Sequence, residues 1–245
     1  MGKQKEKKTA KEIKQELKDK YGARKVYGWS GYVDDPEEAA ILTLMEDIST
    51  ELGIIPSYFN TIAVGEGLNL FVESNYDPAP PHNVIIDQQL SGFDVLGTDD
   101  FGSEFFRYKK YLPKTYNEGA TLADLSTGAE FVQESRINEL GKTTISGTFK
   151  DLESALWAFG ATLAHRKDRF LKAAKDFGYG TPTEDQLAYW TYVYYQGEGN
   201  ARRWLKSNKG LDITTNKSER GQVNILATER VATWRYVQTK GIFSE

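Results

Sequence analysis

Two glycine-bracketed segments of this chain carry residue types that do chemistry. In the first, Ile62-Ala63-Val64-Gly65-Glu66-Gly67-Leu68, a carboxylate stands between glycines on an apolar run. Ile62, Ala63 and Leu70 fall one helical turn from Glu66, so the acid shares an apolar face. Burial on that face favours the protonated acid over the carboxylate. A retained proton is what a leaving oxygen needs as a glycosidic bond opens. Gly65 and Gly67 remove side chains beside the acid and let a bulky substrate approach. The same glycines also end or distort a helix, so Glu66 reads equally as the cap of a frayed terminus.

The second segment is Tyr194-Tyr195-Gln196-Gly197-Glu198-Gly199-Asn200-Ala201-Arg202-Arg203-Trp204-Leu205. It ends one helical pattern in paired tyrosines, breaks on glycines and restarts a helix at once. Such a corner presents phenols and an amide into a cleft. It resembles the Tyr-Asn-Ala-Gly motif of goose-type lysozymes and lytic transglycosylases. By position Tyr195 matches the motif tyrosine, Gln196 its amide, Gly197 or Gly199 its glycine, and Ala201–Leu205 the helix that follows. The resemblance covers roughly residues 36–240 and places the family's glutamate at Glu66. There are departures. Gly67 stands where the family usually has Ser, and its Gly-Leu-Met-Gln segment is not visible; Leu96–Ser103 is the positional candidate. The chain is also similar to lysozyme-like proteins found with phage tails and contractile injection particles.

The resemblance implies a peptidoglycan-cleaving glycosidase, either a muramidase or a lytic transglycosylase, without cofactor or metal. Glu66 would protonate the oxygen bridging N-acetylmuramic acid and N-acetylglucosamine. In hydrolysis a second carboxylate activates or holds water, with Asp99 and Asp100 as candidates and Glu73 and Glu104 behind them. In the transglycosylase variant Glu66 acts alone, and the muramic acid's C6 hydroxyl attacks. Tyr195 would bond Glu66 or a substrate carbonyl, and Gln196 would orient a sugar amide, with Tyr194 and Gly197 beside them. Arg202 and Arg203 would meet a lactate or peptide carboxylate, or form a solvated helix face. Asp99-Asp100 also reads as an exposed turn. The alternative function is a lysozyme-fold binding or structural module of a phage or contractile particle that has lost the chemistry.

Composition bounds these readings. The 245 residues, 39% hydrophobic and 27% charged, suffice for one large or two small cores. There are no cysteines, which excludes disulfides, thiolate chemistry and Cys-based metal sites. His82 and His165 are the only histidines, too few for a multi-histidine centre. His165 reads as a core-edge helix residue and His82 as a loop residue. No apolar run reaches the roughly 18 residues of a membrane span, and no signal-peptide pattern opens the chain. The expectation is synthesis in the cytoplasm and action at the cell wall or periplasm after delivery or lysis. Position 6 is Glu, which breaks the myristoylation pattern. Residues 1–25 hold ten Lys/Arg against four Asp/Glu, a net of +6, so the remainder carries −10 to reach −4. A basic arm on an acidic body invites docking onto a carrier. Interleaved Lys and Glu with few apolar residues read more plainly as a solvated, partly helical tail. The acidic body argues against general nucleic-acid binding.

The positioning elements follow from periodicity. Residues 1–30 are expected as a basic, flexible or loosely helical extension, ahead of a lysozyme-like domain over 31–245. Asp35 as N-cap and Pro36 open a helix carrying Ile41, Leu44, Met45, Ile48 and Leu52, which Gly53 stops. A second helix runs from near Pro56 to Glu66. A loop-rich insert occupies about 76–148. It has one β-like run, Asn83–Asp87, aromatic residues Phe93, Phe101, Phe105, Phe106 and Tyr108, and a short helix around Phe131–Leu140. From Asp151 a long amphipathic helix carries Leu156, Phe159, Leu163, Phe170 and Ala173 and ends at Gly178 and Gly180. Thr183 and Gln186 form a capping box for the next helix. The restart after Gly197 reaches about Ser207, and a last helix spans roughly Val223–Val237. Trp190, Trp204 and Trp234 are spaced as core rings; Trp29 is the candidate exposed ring. The fold class expected is mainly α, with a minor β and loop insert.

Overall fold

A computed structural model describes residues 8–27, 36–65, 109–111, 131–137, 143–149, 152–213 and 221–245. These residues are mainly helical, as their periodicity predicts, with one pair of strands. The chain divides into two units, Tyr32–Asp168 and the pair of segments Met1–Gly31 with Arg169–Glu245.

The Tyr32–Asp168 unit contains α2 (Pro36–Glu51), α3 (Pro56–Gly65), a single 3-10 turn at Lys109–Tyr111, strands β1 (Phe131–Ile137) and β2 (Thr143–Phe149), and the first part of α4 (Leu152–Asp176). Its core is built from Met45, Ile48, Phe59, Ile62, Phe159 and Leu163, all buried. Phe59 meets Phe159 edge-on at 5.2 Å. Gly160 permits close approach: a Cβ there would lie 2.5 Å from Leu52 Cδ1 and 3.2 Å from Phe59 Cε2. The end of α2 is closed in the way its glycine predicts. Gly53 takes φ 61°, its N–H donates to Thr50 O at 3.0 Å, and the Ile54 N–H donates to Ser49 O at 2.8 Å. Lys167 Nζ donates to Gly53 O at 2.5 Å and places a cation at the negative end of α2. Burial pushes the Lys167 ammonium's pKa down, against the pull of Asp168.

The short helix expected around Phe131–Leu140 is instead the first strand of an antiparallel pair. β1 and β2 register Phe131 with Phe149 and Ile137 with Thr143. Val132, Ile137, Thr143, Thr144, Ile145 and Thr148 are β-branched, and such residues favour the pleated surface over the helix. The helical spacing of a few apolar positions is overridden by this composition.

The second unit contains α1 (Ala10–Tyr21), the end of α4, α5 (Glu184–Tyr195), α6 (Glu198–Asn208) and α7 (Gly221–Gln238). Residues 8–27 are not a loose extension. Thr9 and Glu12 form a capping box at the start of α1, and the helix packs on α7. Ile13, Leu17 and buried Tyr21 share one face at four-residue spacing. The Tyr21 hydroxyl donates to Asp185 Oδ2 at 2.8 Å, Arg235 Nε donates to Asp185 Oδ1 at 2.7 Å, and the Tyr27 N–H donates to Thr233 Oγ1 at 3.1 Å. The mixture of Lys and Glu on the outer face hid this apolar stripe from a charge-based reading. At the centre, α5 is buried on all sides from Ala188 to Tyr194. Phe170 stacks on Trp190 at 6.2 Å, and Trp190 meets Trp204 edge-on at 5.3 Å.

Candidate functional site

A cavity of about 600 Å³ lies within the second unit where α5 turns into α6. The turn depends on Gly197, whose φ 153° and ψ 98° side-chain-bearing residues rarely adopt. The Gln196 N–H still donates to Tyr192 O at 3.0 Å, and the Ala201 N–H already donates to Gly197 O at 2.9 Å. The chain thus leaves one helix and enters the next across two residues, Gln196 and Gly197. Thr183 and Gln186 hold the start of α5 through the capping box that their spacing predicts.

From Gly197 onward, Asn200, Ala201, Trp204 and Ser207 recur at three- and four-residue steps, so one stripe of α6 faces the cavity. Val193 and Gln196 close it from α5, Val223 from α7, and Arg203 from the edge of the stripe. The wall therefore combines an indole, two amides, a hydroxyl and one guanidinium. The Arg203 guanidinium donates to Asn200 Oδ1. Among the described residues Arg203 is the one charged member of the lining, and it forms no ion pair with any of them.

The predicted site residues separate under this geometry. Gln196 and Gly197 share the cavity. Tyr195 is half-buried, tilted against Tyr192 at 6.1 Å, and not among the lining residues. Tyr194 is only 1% exposed and sits 5.9 Å from Phe170, so it belongs to the core and not to a substrate surface. Its phenol oxygen is buried without a hydrogen-bond partner. Burial pushes the Tyr194 pKa up to about 12; Arg202 and Arg169 oppose this, and Glu198 and Asp176 reinforce it. Arg202 is engaged at the surface, 3.3 Å from Asp176 and over the Phe177 ring at 5.1 Å. Glu198 is a first-turn acid on α6, as expected from the helix dipole, and pairs with Arg169 at 2.5 Å. Glu66, Asp99 and Asp100 lie outside the described residues, as do Glu73, Glu104, His82, Trp29 and the runs Asn83–Asp87 and Leu96–Ser103.

Sequence reasoning missed Asn200, Ser207, Val193 and Val223 as lining residues. Asn200, Trp204 and Ser207 were findable by laying the helical period on Gly197. Val193 and Val223 carry no such signal, because an apolar residue lining a cavity looks like one filling a core. Trp204 serves both, being buried among core rings and part of the wall. His165 is buried and meets Tyr111 edge-on at 6.1 Å, at the margin of the other unit's core. Among the described residues no three His, Asp or Glu side chains gather as a metal ion would require, and no described helix is long and apolar enough to cross a membrane.

No protein-family model, no curated protein and no solved structure matches this chain.

Proposed function

We propose that this protein binds glycan strands of the bacterial cell wall at the α5–α6 cavity and cleaves them by general acid catalysis from Glu66. One observation carries the binding part. Gln196 and Gly197, matched to the motif amide and glycine, line one cavity with the Trp204 indole and the Asn200 amide. Pyranose rings offer an apolar face to an indole, and acetamido groups pair with side-chain amides. A volume of about 600 Å³ falls within the roughly 300–1,000 Å³ of small-molecule sites. Cleavage follows from the family resemblance of Glu66: the acid gives its proton to the bridging oxygen, and Asp99 or Asp100 holds the water, or the sugar's own C6 hydroxyl attacks.

The test is release of soluble muropeptides from purified peptidoglycan. The wild type releases them, and Glu66→Gln lowers the rate at least a hundredfold while the fold is unchanged. A wild type that releases nothing removes the cleavage reading. A second reading is favoured by the lack of a carboxylate among the described residues that line the cavity: the protein binds the strand and does not cut it. Glycan binding that survives Glu66→Ala, with no cleavage by either form, establishes that reading instead. Docking onto a phage or injection-particle carrier through residues 1–25 is a further part of the proposal. Removing residues 2–25 would take Tyr21 out of the core, so Lys11, Lys14 and Lys18, each changed to Gln, are the cleaner probe. Unchanged loading in that variant argues against the carrier role.

A further inference from the structure

Arg202 and Arg203 are adjacent in sequence, and the structure treats them differently. Arg202 is neutralised by Asp176 at 3.3 Å and laid on a phenyl ring. Arg203 turns to the α5–α6 cavity, bonds only the neutral Asn200 Oδ1, and meets no carboxylate among the described residues. The other described lining groups are neutral: Gln196, Asn200, Trp204, Ser207 and apolar side chains. In a protein of net charge −4, the described wall of the cavity thus carries a positive charge. A guanidinium presents paired N–H donors in a fork that fits the two oxygens of a carboxylate. Its neighbour Asn200 takes one donor and so limits the directions in which the fork points.

We infer that the cavity selects ligands bearing a carboxylate, with Arg203 as the specificity-determining residue and Asn200 as its positioning residue. This rests on the glycan-binding reading for the remainder of the ligand. The carboxylate has two sources in cell-wall material: an acid substituent on the sugar, or the end of an attached peptide. Recognition by a neutral amide set alone would leave the guanidinium solvated and contribute no such preference. A charge-assisted, bidentate contact contributes at least a tenfold difference in affinity between an acidic ligand and its neutral counterpart.

The experiment is calorimetric titration of the full-length protein with three probes: a disaccharide bearing a lactyl acid, the neutral disaccharide chitobiose, and the acidic dipeptide Ala-Glu. The expected result is an acidic probe binding at least tenfold more tightly than chitobiose. In Arg203→Gln that preference is lost, because the acidic probe loses at least tenfold more affinity than chitobiose does. Arg203→Lys keeps part of it, because the charge remains and the fork does not. Asn200→Ala weakens both kinds of probe, and the acidic probe by the larger factor. The lactyl disaccharide and the dipeptide identify the source by which one shows the Arg203 dependence. Chitobiose binding with no preference for either acid, or equal losses for acidic and neutral probes in Arg203→Gln, overturns the inference and leaves the glycan reading standing. Arg203-dependent binding of the dipeptide with no sugar binding keeps carboxylate selection and removes the glycan reading. No binding by any probe overturns both.

Discussion

Asp185 fastens α1 to the other helices of the second unit, and its removal offers a quantitative check on that packing. The carboxylate accepts from Tyr21 at 2.8 Å and Arg235 at 2.7 Å, with Lys20 at 3.4 Å. Asp185 and Arg235 side chains are 20% and 24% exposed, so water competes weakly. A hydrogen bond to a charged group contributes about 1.5–3 kcal/mol when well shielded; partial exposure places Tyr21→Phe at about 1–2 kcal/mol of destabilisation. Asp185→Asn loses the charge facing Arg235 as well and should cost about 2–3 kcal/mol. Both variants delete the same phenol–carboxylate bond, so the double variant should fall short of the sum by about 1 kcal/mol. Urea unfolding followed by tryptophan emission reads these values, since Trp190, Trp204 and Trp234 are all buried in this unit. Additivity within about 0.3 kcal/mol would refute the clasp. The pH dependence has a definite sign. Burial pushes the Asp185 pKa up, but Tyr21, Arg235 and Lys20 outweigh it and hold the carboxyl below the usual range. A depressed folded pKa gives stability that is present above the unfolded value of about 3.9 and is lost as pH falls through the folded one. The difference between wild type and Asp185→Asn should therefore stay level from pH 7 to about 5 and shrink only in stronger acid.

Three further outcomes follow from the packing. Tyr194→Phe should leave stability unchanged or raise it, because the phenol is buried without a partner; a loss above about 1 kcal/mol in urea titration would contradict that. With the Tyr194 pKa raised to about 12, the native phenol stays protonated while the unfolded one ionises near 10, so its contribution falls as pH rises from about 10 to 12, and the wild type should lose stability relative to Tyr194→Phe over that window. Gly197→Ala meets no atom within 4 Å, so its cost is backbone strain alone, about 1–3 kcal/mol, and thermal unfolding that matches wild type would show the turn relaxes without it. Gly160→Leu should cost about 3 kcal/mol or more by overpacking against Phe59 and Ile48, whereas Gly160→Ala displaces the end of Leu52, presses lightly on Phe59 and Ile48, and offsets part of that with helix propensity.

Elements governed by local rules were legible in the sequence. The Thr183–Gln186 box, the stop at Gly53 and the restart after Gly197 each rest on residues within one turn of each other. The stripe Leu156, Phe159, Leu163, Phe170 and Ala173 is long enough for its period to be unambiguous, and all five are buried. The hairpin was misread because a few apolar residues over ten positions fit a helix and a strand alike, and only β-branching separates them. Residues 8–27 were misread because charge was counted over the whole segment, whereas docking depends on Ile13, Leu17 and Tyr21 alone. For the candidate site, Gln196 and Gly197 were legible from the corner they make. The fates of Tyr194, Arg202 and Arg203 were not, because a core, a surface acid and a cavity claim these three according to how the helices pack.

The distance along the chain between α1 and its seat has a consequence for synthesis. Tyr27 bonds Thr233, and α1 packs on α7, so α1 leaves the ribosome well before the helix that receives it. At about 5–20 residues per second, some 200 residues take roughly 10–40 s. Throughout that interval the capped helix has its own hydrogen bonds but nothing to cover Ile13, Leu17 and Tyr21. Its lysines and glutamates then act as a solubilising coat on a nascent segment, and a polypeptide halted before Gly221 would never gain the surface that receives it.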